Sequence, residues 1–298
     1  MAEPAKLPEQ EWEEQQEETL SPWKEGWRKF KRNKIALAGL SIVSFFIILA
    51  ITSPWIAPQG IDEQNLSIRL QPPSSEFWFG TDDFGRDVFS RVIHGARLSL
   101  TVGFLAVVGS AVVGSLLGIL AGYYGKWVDT IISRLFDILL AFPSILLAIA
   151  VVAILGPNLR NALIAIAIIN IPNFGRLIRS RVLSVKEEEY IMAARAVGMK
   201  DSRILFSHVL PNSMTPIIVQ GSLAVATAIL EAAALGFLSL GARAPQPEWG
   251  AMLSASRALL VQAPWTLVFP GLAIMLVVLG FNLLGDGLRD AFDPKMKT

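Results

Sequence analysis

Cysteine is missing altogether from these 298 residues, and histidine occurs only as His94 and His208. Without thiols there is no disulfide, no thiol nucleophile and no thiolate metal site. The two imidazoles are far apart, and neither has a second ligand at metal spacing. Charge is scarce as well: Asp, Glu, Lys and Arg make up 17% of the chain, against roughly 25% in an average soluble domain. Basic and acidic residues nearly cancel, for a net charge of +1, so no basic excess points to nucleic acid. A phosphate-binding loop is absent too. Between Gly122 and Lys126 the glycines have the wrong spacing, and Trp127 stands where Ser or Thr is required. No cofactor is therefore expected in this chain. No cleaved secretory signal is expected either, because the start is acidic and the first apolar run is late and too long.

What is abundant is apolar surface. Hydrophobic residues reach 53% and the mean hydropathy is +0.50, more than a soluble fold can hide. Residues 1–20, rich in Glu and Gln, offer little to bury and read as a tail. Trp23 and Trp27 then alternate with Lys24, Arg28, Lys29, Lys31, Arg32 and Lys34. That pattern suits either an interfacial helix on anionic headgroups or a topogenic charge cluster. Residues 1–34 are thus expected in the cytoplasm and 35–56, long enough to cross a bilayer, form a first span. Residues 57–97 follow outside, with a structured turn leading into an interfacial helix; Asp82, Asp83 and Asp87 resemble a calcium loop only loosely.

Residues 98–290 read as a membrane core with a short cytoplasmic tail, 291–298, behind it. Its spans are expected near 98–123, 130–155, 161–178, 214–238 and 265–284, six in all with the first, and both termini inside. The first of these carries a small residue at every fourth position, Ala106, Ser110, Gly114, Gly118 and Gly122, a seam for close helix packing. The next holds Arg134 and Asp137 one turn apart and a kink at Pro143. Asn170, Asn173 and Glu231 are polar groups at membrane depth and hence candidates for lining a path or gate, or for hydrogen bonding between helices. Residues 239–264 are expected outside, with an interfacial or re-entrant helical run around 252–261.

A charged island at 184–211 interrupts the core on the cytoplasmic side, which Arg176, Arg179, Arg181 and Lys186 mark. Ser184 and Glu187 have capping-box spacing, so a helix is expected to start there. Gly198 supplies a cheap positive φ to close it. Asp201 is placed to cap a second short helix, which Pro211 limits.

The island resembles the E-A-A-x3-G-x9-I-x-L-P loop of membrane subunits of binding-protein-dependent ABC importers. Ala193, Ala194, Gly198, Leu210 and Pro211 match it, while Met192 replaces the Glu and His208 the Ile. FGTDDFGRDVFSRVIHGARLSL at 79–100, PEWG at 247–250 and NLLGDGLRD at 282–290 further resemble the C-type permease of dipeptide, oligopeptide and nickel importers. The likeness extends from about Trp23 to the end of the chain. It implies an all-α type I importer transmembrane fold, in which the island is a coupling helix docked on an ATPase. It also implies a second, homologous permease subunit, two cytosolic subunits that bind ATP and Mg, and an external substrate-binding protein. The expected cargo is a di- or oligopeptide, with nickel or another small solute as the alternative. Two other classes remain. A secondary transporter would use Glu231 or the Arg134 and Asp137 pair for ion coupling. An intramembrane enzyme is disfavoured because no catalytic spacing joins its Ser, His and Asp residues.

Overall fold

The computed structural model describes residues 22–292. The tail read over residues 1–20, the end of the chain from 293, and the side chains of Trp23 and Lys24 lie outside the described residues. Among the described residues, five helices are long and apolar enough to cross a membrane, and a sharply bent pair supplies a sixth crossing if counted as one span. Among the described residues the extended pairing amounts to one bridge, Thr81 with Asp87.

Helix α1 (Pro22–Arg32) is basic in its last turn, with Lys31 5.3 Å from the ring of exposed Trp27 and Phe30 buried behind. Asn33 ends it and caps α2 (Lys34–Ile56), accepting from the amides of Ile35 and Ala36 at 3.0 and 3.1 Å. A 31-residue external segment (57–87) then leads to α3 (Val88–Tyr124).

Helix α3 corrects the expectation of a separate interfacial helix. It runs unbroken for 37 residues, about 55 Å, straight through position 97, where the external loop and the membrane core were divided. Gly95 does not break it; the glycine exists for clearance, since a Cβ there would stand 2.7 Å from the Trp249 indole. Gly125 at φ +62 turns the chain into α4 (Lys126–Leu140), which meets α5 (Ser144–Leu155) at a 94° bend. The kink expected at Pro143 is thus a full break between two helices.

Helix α6 (Leu159–Val185) contains Pro172 and continues seven residues beyond the predicted exit. After α7 (Glu189–Ala196) and the single turn α8 (Asp201–Ile204), a wide π-type turn (Leu205–Val209) joins directly to α9 (Leu210–Phe237). Outside lie α10 (Trp249–Ser256) and a 3-10 turn (Arg257–Leu259). Helix α11 (Trp265–Phe292) runs past the expected end at 284 and past the boundary drawn at 290/291. Ala36 of α2, Ala291 of α11 and Phe30 of α1 form one buried cluster. The N-terminal end of the first span therefore meets the C-terminal end of the last, which puts both ends on one side of the membrane, in keeping with the bent pair counting as one crossing.

The central pair is α3 against α6. A Cβ on Gly114 would stand 2.5 Å from the carbonyl of Ile171, and one on Gly122 would stand 2.9 Å from Val182. At Gly118 the backbones of Gly175 and Arg179 come equally close. The small-residue stripe is thus a backbone-to-backbone packing seam. Outward-facing Ile48, Ile51, Phe104, Leu116 and Ile154 remain exposed, the reverse of a soluble protein and fitting for a lipid-facing surface.

Candidate functional site

The 184–211 island is built by extension of the spans rather than by its own caps. Ser184 lies inside the last turn of α6 and donates its hydroxyl to the Ser180 carbonyl at 3.3 Å. The expected capping box does not form, and α7 begins at Glu189 behind Glu188, whose side chain makes no cap hydrogen bond. Gly198 does close α7, at φ +77, with the Met199 amide donating back to the Ala194 carbonyl at 3.0 Å. Asp201 is not a cap either. It is the first residue of α8 and accepts the Tyr123 hydroxyl at 2.5 Å.

Pro211 does not stop the second helix. A proline lacks the N–H of the helical ladder and crowds the carbonyl four residues earlier. The π-type turn at Leu205–Val209 lies immediately before it, with wider spacing that accommodates the ring. Helix α8, the turn and α9 are in consequence one continuous helical path.

The island has its own small core. Ile191, Ala194, Ile204, Leu205 and Val209 are buried against Ile178, Val182 and Val185 of α6 and Tyr123 of α3. Arg195 lies 5.3 Å from the Tyr123 ring, so this one tyrosine contacts both halves of the island. Nearby, Arg179 of α6 grips Asp129 of α4 with both Nε and Nη2, and Asp129 also accepts from Ser133 at 3.0 Å. Arg176 reaches Asp137 at 2.6 Å, and Arg134 lies 3.6 Å from the same carboxylate. The cytosolic ends of α4 and α6 are thereby fastened together beneath the island, and Tyr123 ties the end of α3 to the island itself.

Its exposed surface carries bulky apolar side chains among charged ones such as Glu189, Arg195, Lys200 and Arg203. Met192, Val197 and Phe206 are 51%, 81% and 67% exposed, and Tyr190, 6.2 Å from the His208 ring, is also exposed. Ala193 and Pro211 face outward with them, whereas Ala194 faces the core and Leu210 and His208 are half-buried. Motif matching alone missed Val197 and Phe206. The signal available was the presence of bulky apolar residues in an otherwise polar segment.

The other candidates divide. Asn170 is buried in α6 and donates to the Glu231 carboxylate of α9 at 3.0 Å and to the Ile166 carbonyl at 3.0 Å. Asn173 is exposed and not part of this pair. On the outer side, Asp82 accepts from the amides of Phe84 and Arg86 at 2.9 and 3.0 Å and from Arg86 Nε at 2.7 Å. Asp87 caps α3. These two carboxylates of the loosely calcium-like loop are taken up by protein donors. Glu248 of the PEWG segment is buried and accepts from Gly250 and Ala251 at 2.9 and 2.8 Å and from Ser99 at 3.3 Å. Burial pushes its carboxyl above the usual range, and those three donors oppose the rise. Trp249 donates from Nε1 to the Val92 carbonyl at 3.0 Å, clamping α10 onto α3.

A family described as binding-protein-dependent transport system inner membrane component matches residues 114–298. The chain belongs to this family. A second description, the N-terminal transmembrane domain of oligopeptide transport permease C, matches residues 21–73 of the permease. A dipeptide transport system permease protein DppC of Alkalihalophilus pseudofirmus is 64% identical over 285 residues, covering 96% of this chain and 94% of the relative. A di/tripeptide permease protein DppC of Pseudomonas aeruginosa is 50% identical over 93% of this chain and 94% of its own length. A glutathione permease protein GsiD of Escherichia coli O157:H7 is 50% identical over 94% and 93%. Among solved structures, the inward-facing MetNI methionine ABC transporter aligns with a TM-score of 0.56 at 17% identity, covering 68% of this chain and 96% of that one. The permease therefore has the type I importer transmembrane fold, and it is a multi-pass protein of the bacterial inner membrane.

Proposed function

We propose that this permease forms half of the path by which a binding-protein-dependent importer takes up di- or oligopeptides, and that its 184–211 island couples the path to a cytosolic ATPase. The observation that carries the coupling role is the exposed Met192, Val197 and Phe206 face on a charged cytosolic island fastened to α3 and α6. An apolar knob of this kind suits a groove on a partner, as amphipathic helices suit grooves generally. The peptide cargo is supported by the names of the relatives at 64% and 50% identity. In this reading a second, different permease subunit completes the path and two ATP-binding subunits hold ATP and Mg. An external binding protein delivers the peptide. Asn170 and Glu231 then pin α6 to α9 at membrane depth, where their mutual hydrogen bond offsets the cost of burying both polar groups.

The test is a purified complex of all subunits in proteoliposomes, assayed for ATP-driven dipeptide uptake. Phe206→Asp puts a charge into the docking face and is expected to lower both ATPase retention on the complex and uptake by at least about tenfold, or about 1.4 kcal/mol. Full retention and uptake in that variant would refute the docking role. A wild-type complex that moves no peptide would refute the cargo.

A further inference from the structure

On the outer face, a cavity of about 820 Å³ opens between the start of α6, the outer part of α3 and the segment after α9. Arg97, Arg160 and Arg243 line it, along with apolar Leu98, Val102 and Leu163. Among the described residues, none of these three guanidinium groups has an ion-pair or hydrogen-bond partner. The contrast is with Arg86, Arg176 and Arg179, each paired to a carboxylate. No acidic side chain lines the cavity. The charge in the lining is thus wholly positive, carried by three solvent-exposed arginines, with neutral Thr101, Asn158 and Gln246 and apolar side chains between them, and the volume is in the range of small-molecule sites.

We propose that this cavity receives the C-terminal carboxylate of the incoming peptide, with an apolar side chain of the peptide against Leu98, Val102 and Leu163. The inference rests on the peptide reading above and adds a subsite to it. Guanidinium presents paired donors that match a carboxylate, and three of them without internal partners lose no ion pair on taking one up. The lining offers no carboxylate to pair with an α-ammonium group, and the three guanidinium groups repel it, so the peptide's amino end is placed away from them. A headgroup phosphate would satisfy the same donors, and the test separates the two.

The assembled complex in nanodiscs, without the binding protein, is titrated with radiolabelled alanyl-phenylalanine and with its C-terminal amide. Wild type is expected to bind the acid about tenfold more tightly than the amide. In the triple variant Arg97→Gln, Arg160→Gln, Arg243→Gln that preference disappears. The corresponding triple lysine variant keeps part of it, and the single Arg243→Gln complex reports on the site should the triple fail to assemble. Equal binding of acid and amide by wild type, or a preference that survives in the triple glutamine variant, overturns the proposal. So does loss of acid binding when phosphatidylglycerol replaces phosphatidylcholine, which would assign the cavity to lipid. Loss of binding-protein pull-down in the triple glutamine variant would assign it to docking and overturn the proposal likewise. Uptake by the wild-type complex with its binding protein is measured in parallel. Its absence defeats the cargo reading, whereas its presence beside any of these negative results defeats only the subsite.

Discussion

Replacing Gly198 tests whether the island acts as a rigid contact. The residue has φ +77 and nothing lies within 4 Å of the place a Cβ would take. A new Cβ there meets no neighbour within the chain, so the penalty is taken as backbone strain. For an L-residue in the left-handed region that is about 1–2 kcal/mol, with β-branched residues at the high end. Such a shift changes the population of the native turn about 5–30-fold. The cluster of Ile191, Ala194, Ile204, Leu205 and Val209 does not involve the glycine, so the complex still assembles. In proteoliposomes, Gly198→Val should lower ATPase stimulation by loaded binding protein, and uptake with it, by a factor in that range. Gly198→Ala should fall between Val and wild type. Gly198→Asn should couple nearly as well as wild type, because Asn tolerates this region. Normal coupling in Gly198→Val would refute the reasoning. Equal damage from Val, Ala and Asn would also refute it, since the cause would then be a side chain on the docking face rather than backbone strain.

Other substitutions separate packing from coupling. Gly114→Val drives a side chain into the Ile171 carbonyl, which as backbone in α6 cannot step aside; about 1–3 kcal/mol of destabilisation is expected as a lower melting temperature in detergent, whereas Gly221→Ala, with open space around it, should melt like wild type. Tyr123→Phe removes the hydroxyl bond to Asp201 while keeping the ring under Arg195; with a charged acceptor the loss is about 1.5–3 kcal/mol, to be seen as faster amide exchange across residues 199–209 but not in α10. Cysteines introduced at Ser75 and Lys200 of this cysteine-free chain should label from outside only at Ser75 and only after permeabilisation at Lys200; the opposite pattern would invert the topology.

The spans were legible because long apolar runs dominate the chain, and Gly198 was legible because one residue type meets its backbone demand. Boundaries were less so, each for a physical reason. The Ser184 and Glu187 pair has the spacing of a helix start, but α6 finds enough buried contact through Val182 and Val185 to run past it. Pro211 marks a local obstacle, and the preceding wide turn that absorbs it has no residue signature of its own. In α3, the expected division at position 97 does not form, and Gly95 beside it makes room for Trp249, 154 residues later. Asn170 and Glu231 lie 61 residues apart in sequence on two different helices, so spacing could mark each residue as unusual but not as the other's partner. Val197 and Phe206 were hidden for a different reason: outward apolar residues in a polar loop become visible only once the buried side of that loop is known.

The wide turn before Pro211 has a mechanical corollary. From Asp201 onward the island meets α9 without any non-helical residue, but its first half meets α6 through residues 186–188, where the helix has ended and the next has not begun. One junction is a shaft and the other a bearing. A load applied at Phe206 therefore enters the helical path of α9 directly, whereas one applied at Met192 or Val197 reaches it across residues 197–200 and the buried cluster of Ile191, Ala194, Ile204, Leu205 and Val209. At α6 the same load can swivel before it reaches the seam with α3. Torque delivered on the cytosolic side thus has a stiff route to the outer half of the membrane along α9 and a compliant one along α6.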